Sequence, residues 1–141
     1  MSLLLDTCVL SEVVRPRPDP AVLDWIAGQP EHTLFLSVIT IGELAKGASK
    51  LADGPRRQEI ETWIEGDLAR RFRDRLLPVD LAVARSWGEM LGAAERRGTP
   101  LPAIDALIAA TAHVHGCAVV TRNEIDLRPT GIEVVNPWKG A

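Results

Sequence analysis

Ser2-Leu3-Leu4-Leu5-Asp6-Thr7-Cys8-Val9-Leu10 sets three leucines, a lone carboxylate and a second apolar run in one short stretch. An apolar run of this length reads as a short buried strand, Ser2–Leu5, ending at Asp6. A helix over about Cys8–Arg15 follows. The same alternation repeats outward from this stretch. Arg15-Pro-Arg-Pro-Asp-Pro20 is a helix-to-helix turn, with Asp19 as N-cap and Pro20 at the first position of a helix over Pro20–Gly28. Leu34–Ser37 is a second buried strand. It leads into a helix from about Ile39 to Leu51, capped by Ser37.

Further on, a long helix is predicted over about Pro55–Arg73, with Ile60, Trp63, Ile64, Leu68 and Phe72 on one stripe. Leu76–Val79 reads as a third strand. Leu81–Arg97 is helical, with Val83, Trp87, Leu91 and Ala94 inward. Thr99-Pro-Leu-Pro102 opens a helix that Gly116 stops, Cys117–Val120 is a fourth strand, and Ile132–Val135 a last one. Strands separated by helices imply an α/β fold, a parallel sheet with helices on both faces. Ligands of such sheets bind beyond the carboxyl ends of the strands.

The chain has 141 residues, 46% of them hydrophobic and 25% charged, which is the composition of one folded domain that needs no disulfide scaffold. Cys8 and Cys117 form neither a C-x-x-C pair nor a zinc-finger spacing, so a reduced, cytoplasmic setting is expected. The N-terminal stretch lacks the basic region of a signal peptide, and no apolar run approaches the roughly 18 residues of a membrane span. The net charge of −3 does not exclude a nucleic-acid partner, because phosphate binding depends on local fields.

Three carboxylates stand out. Asp6 lies at a strand's carboxyl end, where capping a helix and binding a metal are compatible roles. Asp105 is the only charge in Pro102-Ala-Ile-Asp-Ala-Leu-Ile-Ala-Ala-Thr-Ala112, on the face of Ile108, Ala109 and Ala112. A carboxylate favoured by the helix dipole would normally face solvent; on an apolar face it needs a partner. Glu43 has an ordinary reading as an ion-pair partner of Lys46, three residues away. Against that, Gly42 and Gly47 flank it in a helix interior and suggest close approach by another backbone or a ligand.

Were the three to converge, each pair would repel by about 4 kcal/mol at 4 Å and an effective dielectric near 20. They must then hold protons or bind a cation. Without a His or Cys cluster at soft-metal spacing, oxygen ligands point to Mg²⁺, with Mn²⁺ the alternative. Hard divalent ions in acidic pockets most often serve phosphate chemistry.

Leu4-Leu5-Asp6-Thr7 with Leu10-Ser11-Glu12, Ile41-Gly-Glu43-Leu with Lys46-Gly47, Asp105-Ala-Leu-Ile-Ala-Ala110, and Val120-Thr-Arg-Asn123 followed by Gly131 and Asn136-Pro-Trp138 together resemble the PIN-domain toxins of the VapC-like and FitB-like type. The resemblance covers nearly the whole chain, in the family's order. It implies a PIN-like three-layer fold over residues 1–141 and a Mg²⁺- or Mn²⁺-dependent endoribonuclease acting on single-stranded RNA. It also implies a cognate antitoxin, a homodimer, and operator DNA bound only through the antitoxin. Asp6, Glu43 and Asp105 would be the metal carboxylates, with Thr7 or Thr121 a supporting hydroxyl. Many relatives carry a fourth acid where this chain has Asn123. Either Asp126, otherwise a turn residue, substitutes for it, or Asn123 binds through its carbonyl oxygen or a water.

Arg122 leaves the fourth strand beside the expected metal, which makes a phosphate contact credible. Arg70, Arg71, Arg73 and Arg75, with Arg56 and Arg57, read first as a solvated helix face and second as a phosphate track. Trp25, Trp63 and Trp87 read as core, Cys8 as a small buried residue rather than a nucleophile, and the three histidines form no metal set. Few aromatics and no tyrosine argue against strong sequence readout of RNA. Two other function classes compete. One is a non-catalytic metal-binding interaction module. The other is an aspartyl-phosphate phosphatase, which needs a second Asp where Cys8 stands.

Overall fold

The computed structural model describes residues 1–139. Five strands, β1 (Ser2–Leu5), β2 (Leu34–Ser37), β3 (Leu76–Leu77), β4 (Cys117–Val120) and β5 (Val134–Val135), pair in the order β3-β2-β1-β4-β5, all parallel. β1 lies in the centre because its leucines are apolar on both faces, as a strand covered from above and below must be. Leu3 and Leu5 point to one layer, and Leu4 to the other.

The first layer is built by α1 (Thr7–Val13), α2 (Pro20–Ala27), α3 (Val38–Ser49) and α4 (Pro55–Trp63), with α4 continuing into a π-helical turn, Ile64–Leu68, and a short α5 (Ala69–Arg71). The predicted stripe holds: Ile60, Ile64, Leu68 and Phe72 are buried against Leu3, Leu5, Leu34 and Leu36. The second layer is α6 (Leu81–Arg96), α7 (Ala103–His115) and the one-turn α8 (Glu124–Leu127). There Ile108, Ala109 and Ala112 pack on Leu4 and Val119.

Most boundaries follow from single residues. Ser37 Oγ accepts the N–H of Ile39 at 3.0 Å and starts α3, while Asp19 accepts that of Ala21 at 2.9 Å and starts α2. Gly116 ends α7 at a left-handed φ of 67°.

Other expectations are corrected. The long helix is interrupted by the π turn, where the hydrogen bonding widens by one residue. The third strand stops at Leu77 because Pro78 has no N–H to give the ladder. The last strand starts two residues late, since the Ile132 N–H turns to Thr130 Oγ1 at 3.2 Å after the left-handed Gly131. Trp25, Trp63 and Trp87 are only half-buried, at the margins of the core rather than within it.

This topology sets up the site. From β1 the chain moves outward to β2 and β3, then returns to place β4 on β1's other side. The strand order reverses there, and a crevice opens beyond the carboxyl ends of β1 and β4.

Candidate metal centre

Register brings the crevice together. Leu5 pairs with Val120, so the next residues, Asp6 and Thr121, leave the sheet side by side. Asp6 is 8% exposed and Thr121 fully buried. The Thr121 hydroxyl donates to Asp6 Oδ2 at 2.8 Å, and the Thr7 N–H donates to Asp6 Oδ1 at 2.8 Å. One carboxylate therefore caps α1 and faces the crevice at once. Thr121 Oγ1 also accepts the Asn123 N–H at 3.0 Å, which folds the post-strand turn back over the site.

Glu43 arrives from α3. The Thr7 hydroxyl donates to its Oε1 and lies 3.4 Å from the hydroxyl of the buried Thr40. Glu43 thus faces the pocket, and no ion pair to Lys46 forms among the described residues. Of the two expected reasons for its flanking glycines, another backbone of the chain is ruled out: a Cβ on Gly42 or Gly47 would meet nothing within 4 Å. Close approach within the chain does not account for them.

Asp105 sits in the first turn of α7, half-buried, and Asn123 Nδ2 donates to its Oδ2 at 2.9 Å. Burial pushes the Asp105 carboxyl above its ordinary range, and the charges of Asp6, Asp126 and Glu43 push it the same way. Asp105 therefore feels the charge of three other acidic groups here.

Asp6, Thr7, Cys8, Glu43, Asp105, Arg122 and Asn123 line one open pocket of about 460 Å³. The three predicted carboxylates thus line the same pocket. Asn123 is in the lining, whereas Asp126, on α8, reaches Asp105 through its charge and does not line the pocket. Among the described residues no three His, Cys, Asp or Glu side chains are drawn close enough to close a metal cage alone. The donor chemistry nevertheless fits a hard cation. Mg²⁺ is usually held by one or two carboxylates and keeps several waters, for which an open acidic pocket has room.

Two residues have places at or beside the site that the sequence reading did not assign. Cys8 lies in the pocket wall, its Sγ 3.4 Å from Thr121 Oγ1. Burial and then the charge of Asp6 raise its thiol, which keeps it protonated and unsuited to attack. Glu12 is 4% exposed on α1 and takes the N–H of Asp19 at 2.9 Å. The criterion that found Asp105 would have found it too, since Glu12 shares a helix face with the buried Val9.

The fold and the sequence both have counterparts among known proteins. Residues 3–129 match the PIN domain family. The chain is 38% identical to VapC ribonuclease Y4jK of Sinorhizobium fredii over 99% of each chain. It is 34% identical to toxin FitB of Neisseria gonorrhoeae, covering 96% of this chain and 98% of that one. The crystal structure of FitAcB from Neisseria gonorrhoeae superposes with a TM-score of 0.91 at 34% identity, covering 96% of this chain and 98% of its counterpart. FitAB bound to the IR36 DNA fragment gives 0.90 at 33% identity, covering 96% and 95%.

Proposed function

Because the chain belongs to the PIN-domain family, we propose that it is a metal-dependent endoribonuclease and the toxin of a toxin–antitoxin pair. The observation that carries this reading is the meeting of Asp6, Glu43 and Asp105, from three distant parts of the chain, in one pocket at the sheet's switch point. Carboxylates gathered in one pocket without a facing cation for each are kept for a bound cation rather than for stability. The substrate is single-stranded RNA, hydrolysed to leave a 5′-phosphate.

Asp6, Glu43 and Asp105 would hold Mg²⁺ or Mn²⁺. The bound ion supplies Lewis acidity toward the phosphoryl oxygens and lowers the pKa of a bound water. The chain's own contribution is orientation. Thr121 and the Thr7 N–H fix the Asp6 carboxylate, the Thr7 hydroxyl fixes Glu43, and Asn123 fixes Asp105. Asn123 serves as this orienting donor in place of a fourth acid, and Asp126 adds negative charge from outside the lining. Arg122, at the rim, contacts a phosphate of the substrate.

An antitoxin partner is supported by neighbours that are themselves toxin–antitoxin complexes, one of them on DNA. We read all 141 residues as one domain, a homodimer in the cytoplasm, reaching operator DNA only through the antitoxin.

Purified protein should cleave single-stranded RNA with Mg²⁺ and stop on adding EDTA. Asp6→Asn and Asp105→Asn should each lower the rate on the order of 100-fold or more, equivalent to about 3 kcal/mol of transition-state stabilisation. Cleavage indifferent to chelation and to both substitutions would reject the reading.

A further inference from the structure

We propose that Glu12 and Trp138 are positioning residues that hold Arg122 as a fixed phosphate grip over the acidic pocket. The proposal rests on the ribonuclease reading and extends it to side chains outside the pocket. Among the described lining residues, Arg122 is the sole cation beside three carboxylates. An RNA strand approaching such a pocket is repelled unless its phosphates first meet a positive group. A freely rotating arginine would lose much side-chain entropy on gripping a phosphate; one already held loses less.

The structure holds it from two sides. The Arg122 guanidinium carbon lies 4.3 Å from the centroid of a Trp138 ring, a stacked cation–π arrangement. Arg122 Nη2 is also 3.6 Å from Glu12 Oε1. That distance is too long for a hydrogen bond, so the pair attracts without consuming a donor. The Arg122 side chain is 56% exposed and donates no hydrogen bond within the described residues. Its N–H fork stays available.

Glu12 is the hub of the arrangement. It is nine-tenths buried and accepts from Asp19 N at 2.9 Å, Arg15 Nη1 at 3.2 Å and Trp138 Nε1 at 3.3 Å. The same carboxylate thus fixes the indole against which Arg122 stacks and attracts the guanidinium itself. Asn136 Oδ1 accepts the Trp138 N–H at 3.0 Å, which sets the turn presenting the ring.

The test is a double-mutant cycle on the full chain. A short single-stranded RNA is titrated in EDTA at several salt concentrations, and cleavage with Mg²⁺ is measured in parallel. Arg122→Ala should weaken binding about tenfold and reduce the log–log salt slope by about 0.7, raising KM with little change in kcat. Trp138→Leu should cost about threefold, and Trp138→Phe, which keeps an aromatic face, should stay near the wild type. Glu12→Gln should behave like Trp138→Leu. In the Arg122→Ala background both effects should vanish.

Losses that persist undiminished without Arg122 would make Glu12 and Trp138 merely structural and overturn the proposal. Should Glu12→Gln fail to fold, the Trp138 arm decides alone. A wild-type chain that cleaves RNA while the cycle is additive sinks only this proposal; one that neither binds nor cleaves sinks the ribonuclease reading and the grip with it.

Discussion

At Asp105, burial and the charges of Asp6, Asp126 and Glu43 all favour the protonated carboxyl. An acid whose folded pKa is raised destabilises the fold above that pKa, and the penalty disappears below the unfolded value. Asp105→Asn should therefore raise the metal-free melting temperature at pH 7 by about 2–4 °C, on the order of 1 kcal/mol. The gain should shrink as pH falls and Asp105 takes up a proton. Added Mg²⁺ should raise the wild-type melting temperature and leave the variant unmoved, as expected when binding occurs only to the native state. A metal-free variant less stable than wild type would contradict this. Asp105 was legible in sequence because it is a lone charge on an apolar helix. Thr121 was legible as a hydroxyl near the site, but its double role, toward Asp6 and the Asn123 N–H, needs the β1–β4 register to be known.

Among the elements, the basic cluster around α5 turns out to be an internal tie. Arg71 Nε and Nη2 grip the two oxygens of Glu31 at 2.9 Å each, and Arg75 Nη2 joins at 2.8 Å. Arg75 Nη1 also donates to the carbonyls of Glu31 and Leu34, at 2.8 and 2.7 Å. Both guanidiniums lie near 5 Å from the Phe72 ring, at 5.1 and 4.9 Å. Arg70 pairs with Asp67, and Arg57 with Asp53 and Glu61. These partners engage Arg57, Arg70, Arg71 and Arg75 within the chain. The Arg71 and Arg75 hydrogen bonds hold the Glu31 carboxyl down at about 2. A depressed acid stabilises above its ordinary value of 4.5 and loses that contribution as pH falls through about 2. Glu31→Gln should thus lower stability at pH 7 by about 1 kcal/mol, a figure reduced for the solvent screening of a half-exposed group. The difference in melting temperature from wild type should close between pH 4.5 and 2. A gap constant with pH would show that the tie is not electrostatic. Sequence periodicity could not foresee this, because Glu31 and Arg71 are 40 residues apart.

For the molecule as a whole, alternation of apolar strands and helices sufficed to read a parallel sheet covered on both faces, and the switch-point rule located the pocket. Strand order was not legible: nothing in Cys117-Ala-Val-Val120 says that it pairs with β1 rather than β2. Nor was α8, whose four residues are too few to show a helical period. The Asp6 side chain is shaped by β4, and the rim by the turn of Pro137–Lys139. The pocket is therefore completed by residues that are synthesised after all three of its carboxylates. A nascent polypeptide still lacking residues 117–139 carries Asp6, Glu43 and Asp105 yet has no Thr121 to fix the Asp6 carboxylate, so under the proposed function it would stay inactive until those residues are added. Ribosome-bound chains arrested before Cys117 should leave RNA intact, and chains released after Trp138 should cut it; cutting by the arrested chains would show that the site forms without its last strand pair.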